Sequence, residues 1–320
     1  MCVSNLRGKV VLLIPTYNSE LTIAETLDSI QGQSEGLNLL DCVLIADGGS
    51  SDRTLKIAKE MWRCSVPIRF RVTRPGRGEA QDVSDAVFSL SDEIEWIMLM
   101  HSDNIAYPDW LKTILGVVAT ANECVASVCS SYDSWVPGIR LSPGENQPDI
   151  SIETIRGDLA SVRGTLFRGC WWHHSTAAIR VKALREMGGY LPEFRHHLDW
   201  DLLLRFLSGG WNILYVRKSL MKYREHETSL SNRNMDEHID VQEQLTITRK
   251  YQFALSLPDL MRLHSNRVIL LSRRCISSIY RLQGRRLLFA IRVLAYLPIS
   301  CVLCIVDRLF RQVQPPVAGF

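Results

Sequence analysis

The sequence lacks the cysteine spacing of a metal-binding or disulfide-bonded protein. Its nine cysteines are an odd number and are scattered along the chain without paired spacing. This usage argues against a zinc site and a disulfide framework, and it favours a reducing compartment. Residues 1–9 are short and polar and precede a strand pattern, so we expect no signal peptide. A cytoplasmic location is therefore predicted.

A dinucleotide-binding fingerprint is missing from the place where it would act. A Rossmann oxidoreductase carries Gly-x-Gly-x-x-Gly directly after its first strand. Here that turn reads Pro15-Thr16-Tyr17-Asn18, and Gly76-Arg77-Gly78 comes two strands later with Gln81 in the third glycine's place. The sequence therefore disfavours an oxidoreductase of this class.

What the chain does have is an alternation of apolar runs and helical patterns. Residues 10–14, 40–46 and 96–100 are apolar runs typical of strands, residues 68–72 are predicted to form a further strand, and helical spacing follows each of the first three strands in chain order. Further strands are predicted at residues 124–132, 176–180 and 212–216, and residues 134–150, rich in proline and glycine, are predicted to form a loop. The alternation predicts an α/β fold with a doubly wound, mostly parallel sheet.

Polar residues follow these strands, and parallel strands bring their carboxyl ends to one edge of the sheet. The residues expected there are Thr16, Tyr17, Asp47, Arg74, Arg77 and Asp103. Carboxylates mixed with arginines suit a nucleotide and its phosphates. The competing interpretation is helix capping, which we favour for Ser50, Ser51 and Asp52. Asp47 stands at the strand end itself, where its carboxylate could accept a hydrogen bond from a base N–H.

Two segments carry a resemblance to a known family. Residues 14–18, Ile-Pro-Thr-Tyr-Asn, and residues 46–54, Ala-Asp-Gly-Gly-Ser-Ser-Asp-Arg-Thr, resemble the opening of family 2 glycosyltransferases of the GT-A fold. The resemblance covers residues 10–231. It implies a glycosyltransferase domain over residues 1–231, and it leaves residues 232–320 as a helical, arginine-rich extension.

The resemblance also implies the reaction. Such a protein transfers a sugar, with inversion, from a nucleoside-diphosphate sugar to a hydroxyl of a saccharide or lipid-linked acceptor. Processive members carry Gln-x-x-Arg-Trp after the base, and this chain lacks that motif. A catalytically inactive nucleotide-sugar-binding protein is the alternative. The implied donor-binding residues are Pro15, Thr16, Tyr17, Asp47, Arg74, Arg77, Ser102, Asp103 and Arg224.

The family's Asp-x-Asp motif, which binds the donor diphosphate through a divalent metal, aligns with His101-Ser102-Asp103. Mg²⁺ and Mn²⁺ usually take one or two carboxylates plus substrate phosphates, so Asp103 alone could serve. His101 is either a nitrogen ligand or an uncharged wall residue, and we favour the second interpretation. By resemblance, Arg224 and His226 contact the diphosphate or the metal, unless they lie on a surface loop. Loss of metal dependence stays open.

Residues 196–205 resemble the family's segment that carries the general base. Asp199 matches that base, although the family's preceding Glu is Leu198 here. A carboxylate can take the acceptor hydroxyl's proton. Without the resemblance, we would interpret Asp199 as an acid in the first turn of a helix, stabilised by the helix dipole. Asp201 is predicted to be structural and to pair with Arg205, four residues on.

Two further segments leave alternatives open. Trp171-Trp172-His173-His174 could stack on a sugar or bind metal, but we favour a buried aromatic cluster with one exposed histidine.

The C-terminal tail differs in charge from the rest of the chain. From Arg262 onward there are ten arginines, no lysine and one acid, which gives the tail a net charge of +9. Because the whole chain has a net charge of +3, the part before Arg262 has a net charge of −6.

The arginine-rich tail contains a long apolar stretch. Residues 287–306 are interrupted by Arg292 and Pro298, which fits a helix on a membrane surface better than a span or a buried helix. We therefore expect a location at the cytoplasmic face of a membrane. No nucleic-acid partner is expected, because the tail lacks a recognition motif.

Overall fold

The computed structural model of the protein describes residues 3–136, 139–142, 150–225 and 230–280, with isolated residues beyond them. In chain order, the helices and strands are β1 (Val10–Thr16), α1 (Ile23–Gln31), β2 (Leu40–Asp47), α2 (Thr54–Met61), β3 (Ile68–Val72), α3 (Glu79–Phe88), β4 (Trp96–Leu99), β5 (Ile105–Ala106), α4 (Trp110–Val118), β6 (Val125–Val136), β7 (Ile139–Ser142), β8 (Ile152–Ile155), α5 (Leu159–Arg168), β9 (Ala178–Arg180), α6 (Val181–Glu186), α7 (Leu198–Ser208), β10 (Asn212–Arg224), α8 (Leu230–Asp236), α9 (Ile239–Lys250) and α10 (Leu257–Tyr280).

The first four strands form the parallel half of the sheet. β1 pairs in parallel with both β2 and β4, and β2 pairs in parallel with β3. Every residue of β1 is buried. Its side chains alternate between two cores: Val11 and Leu13 face one, and Val10 and Leu12 face the other. Burial on both faces explains why the strand is a continuous apolar run.

The second half of the sheet joins the first through an antiparallel strand. β9 lies antiparallel between β4 and β6, and β10 runs parallel to β6, giving the order β3-β2-β1-β4-β9-β6-β10-β5 in the described residues. The predicted α/β class with a doubly wound, mostly parallel sheet is confirmed.

The predicted loop at residues 134–150 is wrong over its first part. β6 continues to Val136 and pairs antiparallel with β7, while residues 143–149 lie outside the described chain. β10 is also longer than predicted, and β8, which the sequence did not suggest, pairs with it. These strands are extended by cross-strand pairing between distant residues, which local composition does not reveal.

Helices cover both faces of the sheet. Buried residues of α1, α2 and α4 form the core on one face, and those of α3, α5, α6 and α7 form the core on the other. Residues of α9 and α10 also belong to the core beside α7, so the described part of the C-terminal helices packs against the main sheet. In the described chain, none of the helices combines the length and apolarity that crossing a membrane requires. Most of residues 287–306 lies outside the described chain.

Candidate active site

Asp47 organises the loop at the end of β2. Its buried carboxylate accepts hydrogen bonds from Thr16 Oγ1 at 3.0 Å, from Ser50 Oγ at 2.5 Å, and from the backbone N–H groups of Gly49 and Ser50 at 3.0 and 2.8 Å. Gly49 has φ of +83°, and a Cβ there would lie 2.6 Å from Pro75 Cδ, so only glycine fits. Asp47 therefore closes its own turn, and its contact with a donor base stays a prediction.

Asn18 ties the loop after β1 to the loop after β2. Its N–H donates to Ser50 Oγ at 2.8 Å, and its Oδ1 accepts from the N–H of Ser51 at 2.9 Å. Ser50 and Ser51 thus bridge two loops, and the prediction that they cap α2 is wrong. Of the three candidate caps, Asp52 meets the helix, since its Oδ1 accepts from the N–H of Thr54 at 2.9 Å. The reason is that a neighbouring loop competes for the two hydroxyl side chains.

The remaining predicted donor residues of this side differ in exposure. Pro15 is buried with β1, whereas Tyr17 is 58% exposed. Arg74 is exposed, and Arg77 forms ion pairs with Asp85 and, at 3.9 Å, with Asp82. The structure therefore leaves Tyr17 and Arg74 accessible, while Arg77 is bound to α3.

His101, directly beyond β4, pairs with Glu79 at the start of α3. His101 Nε2 lies 2.9 Å from Glu79 Oε1. Burial lowers the pKa of His101, but the charge and hydrogen bond of Glu79 outweigh it and raise that pKa to about 9. His101 is therefore not the isolated wall residue that the sequence predicted, because α3 brings a carboxylate to this position that the local sequence around His101 does not show.

A group of three side chains here could hold a divalent metal. Ligand atoms of Glu79, His101 and His174 all lie within 4.8 Å of one another. His174 Nδ1 lies 3.1 Å from Tyr190 OH, which leaves its other ring nitrogen for a ligand. Burial lowers the pKa of His174 well below its ordinary value, so this imidazole is neutral, as a metal ligand must be. A carboxylate with imidazoles is a donor set that Mn²⁺ tolerates.

Asp103 lies close enough to His101 for its charge to act on that imidazole. Ser102 between them is buried, and its Oγ lies 2.7 Å from Ser19 Oγ. Arg224, at the end of β10, donates from Nε to the carbonyl oxygen of Asp103 at 2.9 Å and stacks 4.6 Å from the centre of the Trp135 ring. The structure thus brings Arg224 to the Asp103 loop. The predicted metal ligand His226 lies outside the described residues.

Asp199 lies in the first turn of α7 and is half-buried. Burial raises the pKa of Asp199 to about 6, against hydrogen bonds from the N–H of Trp200, at 2.8 Å, and from the thiol of Cys170. The charges of Glu79 and His101 also act on it. A carboxyl whose pKa lies near neutrality is suited to general-base catalysis. The predicted partner of Asp201 is confirmed: Arg205 Nε lies 2.7 Å from its carboxylate.

An aromatic wall, made of Tyr132, His173 and Tyr223, adjoins these groups. The ring of His173 lies 4.6 Å from that of Tyr132 and 4.8 Å from that of Tyr223. The predicted buried aromatic cluster is correct for Trp172 and His174, whereas Trp171 is half-buried, and His173 is half-buried rather than exposed.

Several residues of this site were not suggested by the sequence. Glu79 follows Gly78 at the start of a helix, and the position after a glycine turn is the one signal that could have pointed to it. Tyr132 and Tyr223 stand within strands, where no local signal marks them.

The family is established by comparison with known sequences. The sequence model of Glycosyl transferase family 2 matches residues 11–184, which is more than half of the chain. The protein belongs to this family and is a glycosyltransferase, so the predicted resemblance is confirmed.

Two curated relatives illustrate the range of similarity. EpsE of Bacillus subtilis, a protein assigned as a glycosyltransferase, is 25% identical over 243 residues, which are 74% of this chain and 80% of EpsE. The succinoglycan biosynthesis protein ExoA of Rhizobium meliloti is 23% identical over 214 residues, 67% of this chain and 62% of ExoA.

Solved structures share the fold. TarS 1-349 of S. aureus in complex with UDP-GlcNAc matches with a TM-score of 0.58 at 15% identity, over 96% of this chain and 92% of that chain. The mannosyltransferase PcManGT of Pyrobaculum calidifontis in complex with GDP-Man and Mn²⁺ matches with a TM-score of 0.52 at 14% identity, over 96% and 88%. Both likenesses support the GT-A fold.

Proposed function

We propose that the protein transfers a sugar, with inversion, from a nucleoside-diphosphate sugar to a hydroxyl of a saccharide or lipid-linked acceptor. The observation that carries this proposal is Asp199, a carboxyl with a pKa of about 6 beside the His101 and Asp103 loop. A role in polysaccharide or glycoconjugate synthesis is supported by the relative named for succinoglycan biosynthesis. A nucleotide-sugar donor is supported by the structural neighbour bound to UDP-GlcNAc.

The reaction is a single in-line displacement. Asp199 accepts the proton of the acceptor hydroxyl while that oxygen bonds to the anomeric carbon, and the bond from the anomeric carbon to the nucleoside diphosphate breaks. Attack opposite to the leaving group inverts the anomeric centre. Partial burial suits Asp199 to this task, because desolvation makes the carboxylate a stronger base at neutral pH.

The donor is assigned to the loops that follow β1, β2 and β3. In this assignment Pro15, Thr16, Tyr17 and Asp47 surround the base and ribose, and the exposed guanidinium of Arg74 is available to the phosphates. Arg77, Ser102 and Arg224 complete the donor side in the same proposal. The hydrogen bonds between the two loops fix their backbones before the donor arrives, which reduces the entropic cost of binding.

A divalent metal fits the chemistry of the residues present. Asp103 would hold Mn²⁺ or Mg²⁺ together with the donor phosphates, and Glu79, His101 and His174 are the adjoining candidate ligands. A bound cation supplies positive charge that stabilises the departing diphosphate. His101 loses its proton if it becomes a ligand, so metal binding there would release a proton.

The exposed side of α10 supports attachment to a membrane surface. Met261, Val268, Ile269 and Ile276 are exposed apolar residues on this helix, and Arg262 and Arg273 are exposed beside them. An apolar face bordered by arginines suits the boundary between acyl chains and anionic headgroups. Co-sedimentation of the protein with anionic vesicles, and its absence with neutral vesicles, would test this attachment.

Donor screening tests the proposed function directly. Thermal-shift measurements with UDP-, GDP- and dTDP-sugars, with and without Mn²⁺, should reveal one nucleotide that stabilises the protein. The selected donor should then release its nucleoside diphosphate on incubation with saccharide or lipid-linked acceptors, and NMR of the product should show inversion. Binding without release or transfer would instead support the inactive nucleotide-sugar binder, and a retained anomeric configuration would contradict the displacement.

A further inference from the structure

A buried glutamate of the C-terminal helices holds the segment that leads into α7. Glu243 on α9 is 7% exposed, and its carboxylate accepts three backbone hydrogen bonds from consecutive residues. The N–H of Arg195 donates to Oε1 at 2.7 Å, and those of His196 and His197 donate to Oε2 at 3.0 and 2.8 Å. A carboxylate with three backbone donors fixes the direction of all three peptide units.

This contact holds the segment in front of a helix that has no side-chain cap of its own. The first N–H groups of a helix lack intrahelical partners, and a side chain at the N-cap position usually satisfies one of them. The N-cap of α7 is His197, whose side chain gives no cap hydrogen bond, and its Nε2 lies 3.1 Å from the carbonyl oxygen of Asp240 instead. Negative charge near a helix N-terminus is also favourable. Glu243 therefore holds the N–H of the N-cap residue and of the two residues before it from α9, a helix distant in the sequence.

Other residues of α8, α9 and α10 also form hydrogen bonds and ion pairs around the start of α7. Asn234 donates from Nδ2 to the carbonyl oxygen of Arg195 at 3.1 Å. Asp240 forms a two-point ion pair with Arg274 of α10, at 2.7 and 3.0 Å. Lys250 lies 2.7 Å from the buried carboxylate of Asp201 on α7. α7 and the C-terminal helices thus share one polar network.

We infer that Glu243 is a positioning residue for Asp199, an inference that rests on the proposed role of Asp199 as the base. Asp199 follows His197 by two residues in the first turn of α7, so the orientation of residues 195–197 sets the direction of its side chain. Small displacements of a reacting group cost large factors in rate. Glu243 acts through the main chain, and the helices after the catalytic sheet become part of the catalytic apparatus.

Three variants of the full-length protein separate positioning from simple stability. Glu243→Gln keeps the shape but replaces one acceptor oxygen by an N–H₂ group, and Glu243→Asp keeps the carboxylate on a shorter stem. The control is Asp259→Asn, which breaks another contact of α10 with the main domain. Asp259 binds Arg163 of α5 at 2.7 and 2.9 Å, so its loss leaves the segment before α7 untouched.

Each variant is measured by hydrogen exchange of residues 195–201, by UDP affinity, and by single-turnover release of UDP from UDP-GlcNAc with water as the acceptor of the sugar. Glu243→Gln should speed exchange at residues 195–197 by about tenfold or more. It should slow UDP release by about tenfold while UDP affinity stays within about twofold of wild type. Glu243→Asp should recover part of the rate, and Asp259→Asn should lower the melting temperature without either change.

Two results would overturn the inference. Unchanged exchange in Glu243→Gln would mean that the carboxylate does not hold the segment, and faster exchange with an unchanged release rate would mean that the segment does not position the base. A wild-type protein that binds UDP but releases none contradicts the proposed function for this donor. The exchange comparison then decides by itself whether Glu243 fixes residues 195–197.

Discussion

The donor-side loops and the segment before α7 are held in place in different ways. The loops after β1 and β2 are joined by their own polar side chains, with Asp47 bound to Thr16 and Ser50. The segment before α7 depends on Glu243, which belongs to a helix that follows the whole sheet. The donor side is therefore held by contacts within two neighbouring strand-and-turn units, whereas the segment before Asp199 is held by contacts from the C-terminal helices.

Asp47 and Asp199, the acids of these two regions, differ in their burial and in the number of hydrogen bonds that they accept. Asp47 is fully buried, and its oxygens accept four hydrogen bonds. Asp199 is partly exposed, and burial raises its pKa to about 6. A carboxylate surrounded by donors is stabilised as a fixed structural charge, and one short of donors is poised to take a proton. In the proposed reaction, Asp47 orders its loop and Asp199 takes the proton.

The largest effect should come from removing the proposed base, Asp199. Asp199→Asn keeps the size of the side chain but removes the proton acceptor, so single-turnover transfer should fall by about 10²–10⁴ with donor affinity near wild type. If Asp199 only stabilised the helix, the variant would lose up to about 1 kcal/mol of stability and keep its turnover. A transfer rate within a few-fold of wild type in folded Asp199→Asn protein would contradict the role of Asp199 as the base. Asp201→Asn is measured in the same assay as the comparison variant.

Breaking the donor-side loop should weaken binding rather than chemistry. Asp47→Ala leaves Thr16 and Ser50 without their acceptor, so the free energy of nucleotide binding should fall by about 1–3 kcal/mol. Titration calorimetry with the nucleotide selected by the donor screen measures this loss. The matched control is Asp41→Ala at the other end of β2, which should leave nucleotide affinity unchanged. Its ion pair with Arg69 is exposed and should contribute less than about 1 kcal/mol to the stability of the fold. Equal nucleotide affinity in wild type and Asp47→Ala would contradict the role in donor binding.

Removing charge from the Asp103 loop should change the metal requirement. Asp103→Asn should raise the Mn²⁺ or Mg²⁺ concentration needed for half-maximal transfer by about tenfold, because a carboxylate ligand is lost. EDTA should lower the activity of the wild-type protein. Asp109→Asn is the control, since this nearby acid pairs with Lys218. Full activity in EDTA would show that transfer needs no metal.

The smallest effect should be a shift in pH dependence. Because the pKa of Asp199 is raised to about 6, transfer should increase with pH as this carboxyl loses its proton near pH 6. The stability of the fold should change in the opposite direction. Because the pKa of Asp199 in the folded protein exceeds the ordinary value of 3.8, its contribution to stability is fully present below pH 3.8 and is lost as the pH rises through about 6. The pH profile of single-turnover transfer and the melting temperature as a function of pH check both statements.

Leu198 offers a way to move this profile. Leu198→Glu should shift the midpoint of the transfer profile to higher pH, because a like charge raises the pKa of Asp199. Leu198 is buried, so Leu198→Gln serves as the control for the cost of a polar side chain at this position. An equal midpoint in the two variants would show that charge at residue 198 does not reach the base.

The order of strands and helices in the first hundred residues was predictable because each element is written in a contiguous pattern. β1, β2 and β4 are mainly apolar and almost completely buried, β3 alternates apolar and arginine residues, and the helices between them follow a clear period. The same logic failed at residues 134–142, where β6 continues and pairs with β7 in a segment whose composition suggests a loop. Cross-strand pairing between distant residues decided the outcome there.

By itself, the sequence determined the α/β fold, the family and the positions of Asp47, Asp103 and Asp199 near strand or helix ends. Only the tertiary structure decided that His101 pairs with Glu79, which comes from another helix. It likewise decided that Asp199 is desolvated, and that Glu243 of α9 holds the segment before it. The physical reason is range: periodicity and turn chemistry act between neighbouring residues, whereas charge, burial and long-range hydrogen bonds depend on which distant elements pack together.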